Sequence, residues 1–460
     1  MSESLTVAAP KAHAEQGSPS VTRRLADLIA AMNLDSMPAQ AITVAKQCLL
    51  DWIGVCLAAR EEPLVRILLD VFPESPEIGA DIIGHARRAR LEEAVLINGA
   101  MGHALDFDDV IMPMGHPTVA VAPVVFALGK ACGASGAEAL TAFIAGVEAE
   151  CRVSRLMGPS HYGKGWHSTA TCGTFGAAVA ACRLLGVEGE PLTHALGLAG
   201  TQAAGLKSVF GTMSKPLHPG KAAQSGLLAA RLAERGFTSD VDILASPQGF
   251  AATQSTAPNP EAGLAPREAP WVTDALFKYH AACYLTHDSI EAATQLRAEE
   301  GIRLDQIEHV RVRVPPGHLG VCNIREPATG LECKFSLRMT TALALAGEDT
   351  FQESLFSDGT ARRSDLVALR ERVEVDPTMT GHGCEVTVSL RDGRTVSRIG
   401  DVSQPLRDLN LQQQKLERKF RHLTATILPS AAVDEVIARC RTLEAEPDLL
   451  GLLGLLSPRD

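Results

Sequence analysis

Aromatic side chains are scarce in this chain, 4% of its 460 residues with only 3 Trp and 3 Tyr. A sheet-rich sandwich packs on aromatic and β-branched residues, so that architecture is disfavoured. Basic charge is also short: 43 Lys and Arg stand against 54 Asp and Glu, a net charge of −11. Without a basic stripe to neutralise phosphates, nucleic acid is not an expected partner. An anionic small molecule stays open, because a few focused lysines can hold one in an acidic protein. No Cys-x-x-Cys occurs among the 11 cysteines, so neither a zinc knuckle nor a local iron–sulfur loop is signalled. Residues 1–19 have no apolar signal core and read as a disordered leader. No uninterrupted apolar run reaches membrane-spanning length, so no membrane partner is expected and the chain reads as reduced, soluble and cytoplasmic. The turns over 129–136 lack the flanking strand and G-x-G-x-x-G spacing of a nucleotide cradle. Ser168 stands in no nucleophile elbow, which leaves a serine hydrolase little support.

What is abundant is Ala and Gly, with 39 Gly, set in segments of helical period. Helices are expected over 21–33, 41–57, 62–71, 90–106, 123–132, 135–156, 167–185, 191–206 and 221–236. Ser135 and Glu138 have the spacing of a capping box. Gly173, Gly176, Ala177, Ala178 and Ala180 leave one helix nearly without bulk, so a neighbour can approach its backbone. After a Pro/Ala-rich linker at 257–270 the pattern changes. Residues 307–314 alternate as a strand should, and 385–390 and 395–398 flank an Asp392-Gly393 hairpin turn; residues 372–375 add a candidate strand. Helical periodicity returns from 409 to 455. The expected fold is mainly α: a large all-helical domain from 20–270 and 401–460, with a smaller α+β lid over 271–400 inserted between its parts.

Four polar islands interrupt apolar surroundings. Residues 98–118 deliver Asp106, Asp108 and Asp109, then His116, into a core-like neighbourhood, where charges are costly unless they pair with each other or meet a ligand. Residues 163–169 carry His167, residues 213–221 carry Lys215 and His218, and residues 277–280 carry Lys278. Imidazoles can move protons near neutral pH, and Lys with helix-start N–H groups can hold a carboxylate. Taken alone, the first island reads equally as a capped helix end with a solvated acidic turn, and a single His or Lys of the others is more often a cap, a satisfied core group or a solvated side chain. His103 with Asp108 and Asp109 matches no standard metal spacing, so a structural role is expected there and no metal site.

Taken in order, the islands resemble the MmgE/PrpD family, which includes 2-methylcitrate dehydratase, cis-aconitate decarboxylase and iminodisuccinate epimerase. The matching stretches are His103-Ala-Leu-Asp-Phe-Asp-Asp with Gly115-His116-Pro117, Gly165-Trp166-His167, and Lys215-Pro-Leu-His218-Pro-Gly-Lys. Lys278-Tyr-His with Thr286-His287, and Lys334-Phe-Ser-Leu, complete them. The resemblance spans about residues 20 to 455. It implies a helical body with an inserted lid, a homodimer, and no metal or organic cofactor. It also implies a small di- or tricarboxylate substrate and a carbanion made or quenched beside a carboxylate. By the same resemblance His116, His167 and Asp106 are catalytic positions, with Lys215, Lys278 and His218 on the substrate. The expected activity is a lyase of the dehydratase type. Epimerisation is the first alternative, cis-aconitate-type decarboxylation the second, and a catalytically silent carboxylate binder the non-enzyme reading. Two departures bear on this choice. Val110 stands where decarboxylases of the family carry Thr, and Met339 where relatives often carry Tyr. Two hydroxyls are thereby absent.

Overall fold

The computed structural model describes residues 19–457 with Ile78 excepted, so all but the last residue of the expected leader lies outside the described residues. The body is organised on helix Ala39–Ala59, in which Leu49, Leu50, Trp52, Ile53 and Val55 are all within 1% of full burial. By length and composition alone this helix is apolar enough to cross a membrane. Lys46, Gln47 and Asp51 break its apolar run, which hides it from a search for uninterrupted stretches. Helices Leu91–His103, Thr118–Cys132 and Gly136–Met157 pack on it, and Ser168–Leu185, Gly189–Gln202 and Ser214–Glu234 pack on those helices and on one another.

Small residues set how closely these helices cross. A Cβ on Gly220 would lie 2.2 Å from the Leu96 carbonyl oxygen, and one on Gly99 would lie 2.7 Å from Gly220 Cα. The helix that begins near Lys215 is thus seated backbone-to-backbone on the helix that ends at His103. The bulk-free helix behaves likewise: a Cβ on Gly176 would meet the Gly146 carbonyl oxygen at 2.8 Å. Local signals close the ends. Ser135 and Glu138 form the expected capping box, and Gly133 and Gly186 end their helices in the left-handed conformation.

The helices expected over 21–33 and 191–206 end early, at Ala30 and Gln202, and three boundaries nearer the polar islands also differ from the periodicity. The helix expected over 90–106 ends at His103, because Asp106 takes a positive φ of 52° that no helix contains. The helix expected from 123 begins at Thr118 and runs through Pro123, since burial on all sides of 119–125 outweighs the proline. The helix expected from 221 begins at Ser214; Pro216 falls in its first turn, where no N–H partner is lost.

The smaller unit is built on a four-stranded sheet. Strand Ile307–Arg313 runs parallel to Val373–Asp376 and antiparallel to Cys384–Leu390, which pairs in turn with Thr395–Gly400 through the Asp-Gly hairpin. Val310, Val312, Val386 and Val388 are fully buried under helices His287–Glu300 and Leu337–Ala346. Trp271, Val272, Ala275 and Phe277 still belong to the larger core, and the smaller core begins at Ala281. The chain then returns to the body. Helix Leu409–Thr424 lies on Ala39–Ala59, and a Cβ on Gly54 would sit 2.9 Å from the Phe420 ring. All 11 cysteines are free, and all but Cys132 are buried, as small apolar residues would be.

Replacing Gly220 with Ala is expected to destabilise the protein by about 1–3 kcal/mol, since backbone and not a flexible side chain blocks the methyl. The unfolding midpoint in urea measures this. An unchanged midpoint would mean that the two helices are not in backbone contact.

Candidate active site

Helices Thr118–Cys132, Ser168–Leu185 and Ser214–Glu234 all begin beside one turn, residues 103–110. His116 lies two residues before the first helix, His167 immediately precedes the second, and Lys215 and His218 lie in the first two turns of the third. The backbone N–H of His116 donates to Thr169 Oγ1 at 3.1 Å, which ties the first two helix starts together. Gly115 permits this approach, with φ of 104° and no Cβ to strike Thr169. From the other side comes the segment after Trp271, whose Leu276 pairs with Val110 through both backbone hydrogen bonds.

Two carboxylates two residues apart organise the polar groups. Lys215 Nζ donates to Asp106 Oδ1 at 2.8 Å. Lys278 Nζ donates to the Asp106 carbonyl oxygen at 2.6 Å and lies 3.2 Å from Oδ1. Asp108 sits between two imidazoles: His103 donates from Nδ1 at 2.9 Å, and His116 Nδ1 lies 2.9 Å from the other oxygen. His116 Nε2 is 3.7 Å from Asp106, so this ring spans both acids. His103 packs against His116 with ring centroids 4.5 Å apart, and its buried Nε2 has no partner among the described residues. A second imidazole pair stands alongside, His167 Nδ1 to His218 Nδ1 at 2.9 Å, with Phe210 edge-on against His167.

Each charge state has a cause. Burial pushes the Asp106 carboxyl up, but the Lys215 and Lys278 ammoniums outweigh it and hold the group well below the usual range. Asp108 is likewise raised by burial and overcome by His103 and His116. Burial lowers the His103 imidazole to about 4, so it is neutral near pH 7 and donates to a carboxylate. Burial first, then the neighbouring His103 and Lys215, also depresses His167, and burial with Lys215 depresses His218. Two neutral imidazoles in Nδ1–Nδ1 contact must be opposite tautomers. One of them therefore presents an Nε2–H and the other an Nε2 lone pair, an acid and a base in one pair. Behind the site Asp109 accepts from Thr118 Oγ1 at 2.8 Å, and burial with Asp108 pushes its carboxyl up to about 8.

All six residues singled out from the sequence come to this place: Asp106, His116, Lys215 and Lys278 in one cluster, His167 and His218 beside it. His103 and Asp108, read as structural, turn out to be the link between the two sets. Their signal in the sequence was the His-to-Asp spacing of five across a helix end. Ligating atoms of His103, Asp106, Asp108 and His116 lie within 4.8 Å of one another, as a metal site would require. Here the ammoniums of Lys215 and Lys278 already stand on Asp106, and His103 donates a neutral N–H to Asp108. Val110, at the position of a family Thr, is 7% exposed, and Met339 is wholly buried in the smaller core.

This chain belongs to the MmgE/PrpD family. The family's N-terminal domain model matches residues 23–262 and its C-terminal domain model residues 280–443. Among its relatives is a cis-aconitate decarboxylase of Homo sapiens, 28% identical over 95% of this chain and 94% of the relative. A cis-aconitate decarboxylase of Aspergillus terreus is 25% identical over 95% and 96%, and a cis-aconitate decarboxylase-like protein of Aspergillus oryzae is 26% identical over 95% and 97%. These similarities support an enzyme of this family.

Asp109 yields a pH test. Between the ordinary carboxyl pKa and about 8 the unfolded chain has lost this proton and the folded chain keeps it. The contribution of Asp109 to stability is therefore full in acid and is lost as pH rises through that window. Asp109→Asn, which keeps an acceptor for Thr118, should be more stable relative to the parent at pH 8 than at pH 4. Thermal unfolding at the two pH values measures this, and a difference of the opposite sign would show that Asp109 is ionised in the fold.

Proposed function

We propose that this protein is a cofactor-independent lyase that removes a proton next to a carboxylate of a small di- or tricarboxylate and eliminates water. The observation that supports it most is the convergence of Lys215 and Lys278 on Asp106 between two imidazole pairs. An ammonium has three N–H donors. Lys215 spends one on Asp106, so its remaining donors are available to a substrate carboxylate. Negative charge that develops on that carboxylate when the C–H bond breaks is met by preorganised cations, which is where such groups act most strongly.

Proton transfer needs one group on each side of the reacting carbons. One imidazole, His116 or His167, accepts the proton from the carbon beside the carboxylate, and the C–H electrons form the new double bond. The other gives a proton to the hydroxyl on the adjacent carbon, and the C–O bond breaks to release water. Asp108, ionised between His103 and His116, orients the first ring. The His167–His218 pair presents acid and base tautomers to the second position. Asp106 holds the two lysines at a fixed spacing.

Decarboxylation is the second reading, favoured by the names of the relatives. There a carboxylate leaves as carbon dioxide and one imidazole protonates the resulting carbanion. Val110 and Met339 count against it, because both positions lack a hydroxyl. The same two imidazoles would perform an epimerisation if one removed the proton and the other returned it.

His167→Ala is expected to cut turnover of the acid the enzyme accepts by about 10²–10⁴-fold and to leave its binding nearly unchanged. Citrate, 2-methylcitrate and cis-aconitate are the probes, with product followed by NMR and binding by calorimetry. Undiminished turnover would remove His167 from the reaction. Binding without turnover in the parent protein would favour the silent binder.

A further inference from the structure

Lys419 is an ammonium with almost no solvent, 1% exposed, carried into the body by the returning helix Leu409–Thr424. Its Nζ lies 2.7 Å from Asp51 Oδ1, on helix Ala39–Ala59, and donates to the carbonyl oxygen of Phe107 at 2.6 Å. It also stands 3.9 Å over the Phe107 ring, close enough for a cation–π contact. Lys278 donates to the carbonyl of the preceding residue, Asp106. Two successive peptide carbonyls, that of the residue with φ of 52° and that of the residue after it, are therefore each held by a separate buried ammonium.

A buried ion pair is weak evidence for stability, since well-packed apolar residues often serve the fold as well or better. Burial raises the Asp51 carboxyl to about 6 even with Lys419 beside it, so the pair is held against a real desolvation cost. A left-handed Asp is itself strained and persists only where its surroundings over-determine it. Asp106 is the residue so held, and it is the one that sets the spacing of Lys215 and Lys278.

We propose that Lys419 is a positioning residue of the active site: by holding the Phe107 carbonyl it keeps Asp106 left-handed, with its carboxylate aimed at Lys215 and His116. Asp51 is the counter-ion that lets the ammonium be buried. The same helix face sends Lys415 to Glu291 and Arg418 to Asp349 of the smaller unit, so one helix grips both the turn and the lid. The catalytic meaning of this clamp rests on the function proposed above. Its geometric meaning does not.

The test uses Lys419→Met combined with Asp51→Asn in the full-length protein, so that no buried carboxylate is left unpaired. The expected double variant folds with an unfolding midpoint near the parent's, and its crystal structure shows Asp106 outside the left-handed region and withdrawn from Lys215. Its kcat on whichever of citrate, 2-methylcitrate or cis-aconitate the parent consumes falls about 100-fold, as for a displacement of about 1 Å, with a smaller change in KM. Arg421→Gln, on the same helix, half exposed and paired only with Asp434, controls for disturbance of the helix and keeps the parent kcat. A double variant with parental kcat, or with Asp106 still left-handed and bonded to Lys215, would overturn the proposal. If the parent consumes none of the three acids, the function reading fails and the crystal structure alone decides the clamp.

Discussion

Everything at this site depends on how two carboxylates, Asp106 and Asp108, are kept ionised in a mostly buried turn. Each faces a desolvation penalty, and each escapes it only because cationic or imidazole groups from distant parts of the chain reach it. Lys215 comes from the helix that crosses at Gly220, Lys278 from the segment that enters the smaller unit, and His116 from the link into Thr118–Cys132. Lys419 comes from the helix that returns after that unit. The topology therefore has a chemical reason: the chain must leave the body and come back before the turn is complete.

Close helix crossing serves the same end. The Gly99–Gly220 contact fixes the third helix start against the helix that delivers His103, and Gly115 lets the His116 backbone reach Thr169. Three helices then begin around one place, and the positive dipole end of each favours an anion there. Polycarboxylate chemistry suits such a place, where the lysines supply formal charge and the helix starts add to it.

Much of the fold was legible in the sequence because it is local. The capping box at Ser135, the Asp392-Gly393 hairpin and the valine alternation at 310, 312 and 314 each follow from neighbours in sequence, and each stands where it was expected. The six candidate residues were legible as polar interruptions of apolar runs and, together, as a family pattern. What stayed hidden is non-local. Helix Leu91–His103 stops short of the left-handed Asp106, whose carbonyl is held by Lys278, 172 residues away. Lys419 sits in a helix rich in charge, and nothing in its periodicity separates the one buried lysine from the half-buried Lys415 and the exposed Arg418. His103 and Asp108 could be read as a capped helix end until His116 arrived on the same carboxylate.

The central claim is that Lys215, Lys278 and the imidazoles together labilise a proton next to a carboxylate. The direct measurement is proton NMR of the purified protein in D₂O with citrate, 2-methylcitrate, cis-aconitate and iminodisuccinate. Deuterium entering a carbon beside a carboxylate, together with a new alkene signal from one of the hydroxy acids, is the predicted result. Exchange with only a change in diastereomer ratio would keep the proton transfer and replace elimination with epimerisation. No exchange into any of the four, from a protein that they stabilise against heat, would contradict the account.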